Sequence, residues 1–131
     1  MPEPYSAEVI ELCRHPRNAG RLPAQDPDVA GGEAGAAEEG ELVRIQIRVG
    51  PDQLVREAVF RAFGCPATIA AASLATERVL GQPLSFAAGL ATRDLARALS
   101  LPPERVRSAE LARAALAAAV EAFCSKRQTG V

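Results

Sequence analysis

The sequence contains no tryptophan, one tyrosine, one histidine and a single lysine among its fifteen basic residues. Its three cysteines include no Cys-x-x-Cys pair, which argues against a disulfide framework. The cysteines are expected either to take part in thiol or metal chemistry or to have no chemical role. No long apolar run is present, which argues against a membrane-spanning helix. The start of the chain lacks the charged-then-apolar order of a secretion signal, and we therefore expect a cytoplasmic protein without a membrane partner.

The chain has 131 residues, of which 48% are hydrophobic, and this supports one domain over residues 1–131. Its net charge of -1 argues against nucleic acid as a partner. The charge is unevenly distributed, because residues 1–41 hold nine acidic against three basic side chains and the remainder holds seven against twelve. Without interleaved aromatic residues, the later arginines indicate a solvated or ion-paired helix face.

Hydrophobic spacing and Pro and Gly breaks predict the helices. A first helix is expected before His15, since the residue before a proline is disfavoured in helical geometry. An Ala-rich helix follows Cys65, and a long amphipathic helix ends the chain. The predicted helical ranges are 6–14, 66–80, 84–89, 92–99 and 104–127.

The clearest strand covers residues 42–49, where every second side chain is apolar and the others are Arg or Gln. A Gly-Pro-Asp-Gln turn follows, and residues 54–63 are predicted to return as the antiparallel partner. Residues 16–41 show neither the helical spacing nor the strand alternation of apolar residues, so we expect a long loop with a short extended piece near residues 31–37. Hairpin first and helices afterwards predict an α+β domain with helices on one face of a small antiparallel sheet.

Cys65 is placed at the corner between the second strand and the central helix. Pro66 suits the first helical position, which puts Cys65 at or next to the N-cap. Free backbone amides and the positive end of the helix dipole favour a thiolate there. The alternative is a small hydrophobic residue buried under the corner.

Three segments, HPRNAG, FGCPATIAAAS and LPP, occur in an order and spacing that resemble the iron-sulfur cluster assembly scaffold family. This is the IscU type, which also forms the N-terminal domain of NifU, and the resemblance covers nearly the whole chain. It implies a small three-stranded antiparallel sheet with helices packed on one face. It also implies iron, zinc or a [2Fe–2S] cluster at one end of that sheet, held by three cysteines, an aspartate and a histidine.

The resemblance carries over only one of these ligands, Cys65. The first cysteine position falls on Glu39, the aspartate on Glu41, the histidine on Arg107 and the third cysteine on Ser108. Cys65 is therefore the expected cofactor-binding residue, with Glu39 and Glu41 as candidate metal ligands that would suit a single iron better than a cluster. Alternatively, Arg107 pairs with one of the glutamates, no metal is bound, and a salt bridge replaces the metal site.

The remaining candidates have simpler structural explanations. We expect His15 to cap a helix or to be exposed, and Cys13 and Cys124 to fill the core. The segment Leu101, Pro102 and Pro103 resembles the family's LPPVK, which an Hsp70-type chaperone grips in extended form. In this sequence Glu replaces the apolar residue that follows, which disfavours chaperone binding, and the prolines then only begin the last helix.

Three non-enzymatic functions follow from the resemblance. The first is an atypical cluster assembly scaffold that binds iron or accepts sulfur through Cys65, with missing ligands supplied by a partner or by a homodimer. The second is a ligand-depleted module that regulates assembly without a metal. The third is a persulfide carrier on Cys65. A cysteine desulfurase is the expected partner in each.

Overall fold

The computed structural model describes the backbone of residues 5–129 and the side chains of residues 5–126, so both ends of the expected 1–131 domain lie outside the described residues. The strands are β1 (Val29–Ala36), β2 (Glu41–Val49) and β3 (Val55–Phe63). The helices are α1 (Ala7–Arg14), α2 (Pro66–Val79), α3 (Leu84–Gly89), α4 (Thr92–Ala98) and α5 (Val106–Thr129). Among these described elements, no helix combines the length and the apolar character that a bilayer crossing requires.

The three strands form one antiparallel sheet with β2 in the centre. The apolar side chains that alternate along β2 face the core and are almost fully buried; they are Val43, Ile45, Ile47 and Val49. Helix α5 packs on β1 and β2, and helix α2 packs on β3. Arg44 and Arg61 are exposed on the opposite face. The predicted α+β class, with helices on one face of a three-stranded sheet, is confirmed.

Strand β1 corrects the prediction of a long loop over residues 16–41, although the short extended piece expected near residues 31–37 largely coincides with it. Its sequence, VAGGEAGA, has no bulky apolar residue after Val29, so no period-two pattern is visible. Its small residues serve packing, because a Cβ on Gly32 would lie 2.6 Å from the Ala115 carbonyl oxygen and would also collide with the Ala119 amide. The strand is therefore specified by close contact with α5, which a local sequence pattern does not reveal.

Helix α1 is held in place by hydrogen bonds of its N-cap residue, Ser6. Ser6 Oγ accepts a hydrogen bond from the Val9 amide at 3.1 Å and donates one to the Leu99 carbonyl at 2.6 Å, which ties α1 to the end of α4. The helix ends at Arg14, as predicted. The exposed His15 is its C-cap residue, in agreement with the capping role expected from the sequence.

The HPRNAG segment is bound to the polar side of α2. The Arg17 amide donates to Ser73 Oγ at 2.7 Å, and Asn18 Nδ2 donates to Thr76 Oγ1 at 3.3 Å. Both hydroxyl residues are fully buried. The Asn18 carbonyl accepts a further hydrogen bond from the Phe60 amide at 3.0 Å, so the segment also borders β3. This motif therefore has a structural function, and it positions the helix that begins at the candidate site.

Candidate functional site

Cys65 lies where β3 turns into α2. Gly64 makes the turn with a φ of +149°, and a Cβ there would lie only 3.1 Å from Thr68 Oγ1, so the position requires glycine. Cys65 has extended backbone geometry at the N-cap, and Pro66 begins the helix without an amide that would need a partner. The predicted thiol at a strand-to-helix corner is confirmed.

Two buried hydroxyl groups contact this thiol. Thr68 Oγ1 lies 3.4 Å from Cys65 Sγ, Ser108 Oγ lies 3.7 Å from it, and the two hydroxyl oxygens are 3.2 Å apart. Thr68 is 0% exposed and Ser108 is 2% exposed, whereas Cys65 is only half-buried. We call these three side chains the thiol–hydroxyl triangle. It joins the first turn of α2 to the first turn of α5.

The triangle changes the acidity of Cys65. Burial acts to raise the pKa of the thiol, but hydrogen bonds from the Thr68 hydroxyl and amide, the Ser108 hydroxyl and the Ala67 amide outweigh it. The pKa of Cys65 therefore lies below its ordinary value. A half-buried thiol with a lowered pKa is the form of cysteine that reacts as a nucleophile or binds a metal.

Tyr5 lies beside the same thiol. Burial, followed by negative charge on Cys65, raises the pKa of Tyr5, while the nearby Arg105 opposes this rise. The Arg105 guanidinium carbon lies 5.2 Å from the centre of the Tyr5 ring, which holds the ring in a cation–π contact. The Tyr5 hydroxyl therefore stays protonated at neutral pH.

Glu41 and Arg107 form an ion pair next to this corner. Glu41 Oε2 lies 3.5 Å from Arg107 Nε, as expected for residues that replace metal ligands with opposite charges. The Glu41 side chain runs along Gly64, with Cγ 3.3 Å from where a Cβ of residue 64 would be. Glu41 Oε2 is buried and accepts no hydrogen bond from the described residues. Glu39 is exposed in a 3₁₀ turn and makes no ion pair within the described chain.

The donors around Cys65 do not fit a metal ion or cluster held by one chain. The triangle offers one sulfur and two neutral hydroxyls, and the Glu41 carboxylate faces a guanidinium that would repel a cation. Among the described residues, no group of three or more His, Cys, Asp and Glu side chains could hold a metal ion. Cys65, Glu39 and Glu41 therefore stay predicted ligands that would need donors from a second source.

The other two cysteines lie away from the triangle. Cys13 is half-buried on α1, which is consistent with packing. Cys124 is exposed, so the prediction that it fills the core is wrong. Its neighbour Phe123 is 1% exposed and occupies the core-facing position. One residue along a helix turns the side chain by about 100°, which leaves Cys124 on the solvent side.

The LPP segment is folded into the connection before α5. The Leu101 amide donates to the Ala96 carbonyl at 2.9 Å, and the Arg105 amide donates to the Pro102 carbonyl at 2.8 Å. Pro103 begins the 3₁₀ turn Pro103–Arg105, which runs directly into α5. The prolines thus begin the last helix, as the structural alternative predicted. A chaperone that grips an extended peptide would have to unfold this turn.

Two residues of the site were missed from the sequence. Thr68 follows Cys65 by three positions, and in the first turn of a helix this spacing brings a side chain back towards the cap, so the signal was present. Tyr5 is distant in sequence and carries no comparable signal. Ser108 was identified only as a substituted ligand, not as a hydrogen-bond partner of Cys65.

A scan against family models decides the relationship. The model described as the NifU-like N terminal domain matches residues 4–130, almost the entire chain. The chain belongs to this family.

Individual members of the NifU N-terminal family are similar over nearly their full length. The iron-sulfur cluster assembly scaffold protein IscU of Azotobacter vinelandii is 40% identical over 123 residues, covering 94% of this chain and 96% of the relative. IscU of Escherichia coli K12 is 36% identical over 124 residues, covering 95% and 97%.

Solved structures agree on the fold. A protein described as a candidate scaffold of the SUF system, from Fervidobacterium islandicum, superposes with a TM-score of 0.68 at 14% identity, covering 89% of this chain and 96% of that chain. The N-terminal part of a NifU-like protein from Brucella abortus superposes with a TM-score of 0.61 at 18% identity, covering 95% and 94%. The resemblance stated from the sequence is thereby confirmed.

Proposed function

We propose that this NifU-type chain works in iron-sulfur cluster assembly as a scaffold-type protein, and that Cys65 accepts sulfur from a cysteine desulfurase. The proposal rests above all on the thiol–hydroxyl triangle, which holds one half-buried thiol with a lowered pKa. Relatives named as cluster assembly scaffolds supply the process in which such a thiol would act. The cytoplasmic location expected from the sequence is part of the same proposal.

The chemical step is a sulfur transfer between two cysteines. The Cys65 thiolate attacks the outer sulfur of a desulfurase persulfide, a new S–S bond forms on Cys65, and the S–S bond of the donor breaks. The electron pair of the broken bond leaves on the donor cysteine as a thiolate, so no external oxidant or reductant is required. Hydrogen bonds from Thr68 and Ser108 hold the attacking thiolate at the start of α2.

Iron or a [2Fe–2S] cluster would be the cargo of such a protein, and zinc would compete for the same thiolate. Cys65 supplies one soft donor, and the other donors would come from a partner or from a second protomer. Metal binding is thus a second candidate function. Glu41 favours it, because its buried Oε2 has no hydrogen-bond partner among the described residues. The Arg107 guanidinium opposes it, since it already faces that oxygen.

The sulfur-transfer proposal is tested by anaerobic incubation with a cysteine desulfurase and free cysteine, followed by peptide mass spectrometry. We expect one added sulfur on Cys65 and none in Cys65→Ser. The matched control is Cys124→Ser, which removes an exposed thiol and should leave labelling of Cys65 unchanged. Equal labelling of Cys65 and Cys124 would show that sulfur reacts with any accessible thiol.

Reconstitution with iron and sulfide separates the alternatives. Metal retained by the wild type and lost in Cys65→Ser supports the iron-binding scaffold. A persulfide on Cys65 without metal supports the carrier. If neither metal nor persulfide is found, the result supports the ligand-depleted regulatory module. Its binding to the desulfurase would then be measured.

A further inference from the structure

Three arginines lie close together on the sheet face that the helices do not cover. Arg44 on β2 is directly opposite Arg61 on β3 in the antiparallel register. Arg21 precedes β1, and the amide of the preceding Gly20 donates to the Phe60 carbonyl at 3.0 Å, which brings Arg21 close to Arg61. Like charges directly opposite each other destabilise a pair of strands. We call Arg21, Arg44 and Arg61 the arginine cluster.

The arginine cluster has one carboxylate among the described residues for its three guanidinium groups. Glu33 Oε2 lies 2.7 Å from Arg44 Nε, and neither Arg21 nor Arg61 makes an ion pair with any residue described. On the same face, Arg48 has the opposite balance, because three carboxylates surround one guanidinium: those of Asp26, Asp28 and Glu57. The missing counter-charges are therefore a local property of the cluster and not of the whole face.

The electrostatics of Arg61 reflect this crowding. Partial burial, followed by the charges of Arg21 and Arg44, lowers the pKa of Arg61, and Glu33 only partly opposes this effect. Arginine remains charged at physiological pH in any case. The free chain therefore carries repulsion that an incoming anion would relieve.

The cluster borders an open cleft of about 240 Å³. Its polar lining residues are Glu33, Arg44, Gln46 and Arg61, and Gly20 and Gly31 contribute no side chain to it. Pockets for small molecules are usually enclosed, mostly apolar and about 300–1,000 Å³ in volume. This cleft is smaller and open, and its charged lining residues come from all three strands, so it fits an extended chain better than a small anion.

We infer that the arginine cluster binds an acidic segment of a partner protein, whose carboxylates supply the counter-charges that this chain lacks. Bidentate pairing of guanidinium with carboxylate gives such a contact its strength and orientation. A nucleic acid fits less well, because the net charge is -1 and Phe60, an aromatic residue that lines the cleft, is only 4% exposed and cannot stack on a base. The inference does not depend on Cys65 and goes beyond the proposed function.

The test is a titration of the full chain with a short polyglutamate peptide, followed by backbone amide NMR. We expect shifts centred on the amides of Arg21, Arg44 and Arg61, weakened by added salt. Arg61→Glu should lower the affinity for the peptide by about tenfold or more, since a guanidinium that attracts the glutamates is replaced by a carboxylate that repels them. Arg113→Glu makes the same charge change at an exposed site on α5 and should leave the affinity unchanged.

A second readout distinguishes binding from a structural role. Arg61→Glu places a carboxylate opposite Arg44, so the variant should unfold at an equal or higher urea concentration than the wild type. Loss of stability would contradict the inference, because Arg61 would then stabilise the free fold. Arg61→Gln removes the charge without adding a carboxylate, and it too should unfold at an equal or higher urea concentration than the wild type.

Other occupants give different results, and each would overturn the inference. Inorganic phosphate at equal ionic strength that displaces the peptide and reproduces its shifts would indicate a small-anion site. A single-stranded oligonucleotide that binds more tightly than the peptide would indicate nucleic acid. Shifts at the arginine cluster and at the exposed Glu38 and Glu39 that grow with protein concentration alone would indicate a second copy of this chain.

Discussion

At the scale of single residues, the thiol–hydroxyl triangle determines how readily Cys65 loses its proton. Ser108→Ala removes one hydrogen bond to the thiolate and Thr68→Val removes another, so each variant should raise the pKa of Cys65. The measurement is the pH dependence of alkylation at Cys65, followed by peptide mass spectrometry. The wild-type midpoint should lie below that of a cysteine in an unstructured peptide.

Ser108→Thr is the matched control, because it keeps the hydroxyl and should keep the midpoint close to that of the wild type. The same pKa shift also links stability to pH. Because the pKa of Cys65 is lower in the folded state, its contribution to stability is complete above the unfolded pKa and is lost as the pH falls through the folded pKa. An unchanged midpoint in both Ser108→Ala and Thr68→Val would contradict this account.

The position of Cys65 could be predicted because Gly64, Cys65 and Pro66 determine a local geometry that three consecutive residues are sufficient to specify. Its partner Ser108 could not, since the hydrogen bond joins residues 43 apart and depends on how α5 packs against α2. The replacement of the family's histidine by Arg107 did predict an ion pair with Glu39 or Glu41, and the structure selects Glu41 over the exposed Glu39. Local chemistry thus predicted the thiol, and packing determined its environment.

At the scale of secondary structure elements, the contact between β1 and α5 depends on Gly32. In Gly32→Ala, the new Cβ would meet the backbone of α5 at Ala115 and Ala119, and neither element can move without disturbing the core. We expect the free energy of unfolding to fall by about 3 kcal/mol, the usual range for an overpacked interior. Urea denaturation measures the change.

Gly31→Ala is the control on the same strand. Its Cβ would lie 3.1 Å from Gln46 Cγ, a flexible side chain that can adjust, so the loss should stay below about 1 kcal/mol. Equal losses in the two variants would mean that glycine matters for strand conformation and not for the approach of α5.

This contact also explains which elements could be predicted. Strand β2 has an apolar residue at every second position, and Gly or Pro marks both ends of α3, so local patterns were sufficient. Strand β1 has small residues because α5 lies on them, and small residues show no period. The end of the LPP segment forms a 3₁₀ turn, which delays α5 from the predicted residue 104 to Val106.

At the scale of the whole molecule, the uneven charge of the sequence has a structural explanation. Acidic side chains from residues 1–41 pair with arginines that come later in the chain, and these pairs are Glu33 with Arg44, Asp26 and Asp28 with Arg48, and Glu41 with Arg107. The acidic part of the sequence is thus held against basic residues of β2 and of α5. The composition indicated the asymmetry, but only the register of the strands reveals the pairs.

Arg48 is the centre of this arrangement. Its guanidinium joins Asp26 and Asp28 before β1 to Glu57 on β3, at distances of 3.1, 2.8 and 2.7 Å. From the other side, Lys126 Nζ donates to the carbonyls of Asp26 and Val29 at 2.9 and 2.6 Å, so the end of α5 holds the same loop. Arg48→Gln would leave three carboxylates close together, and we expect a lower urea midpoint that recovers partly with added salt, which screens their repulsion.

The control for Arg48→Gln is Arg56→Gln, which makes the same charge change on β3, the other strand of the same hairpin. Arg56 pairs only with Asp52 among the described residues, and both side chains are about half exposed, so this ion pair should contribute little to stability. If the two variants unfold at the same urea concentration, the three carboxylates around Arg48 do not hold the parts of the sheet together. If only Arg48→Gln is destabilised, and salt reduces the difference, the charge asymmetry of the sequence contributes directly to the stability of the fold.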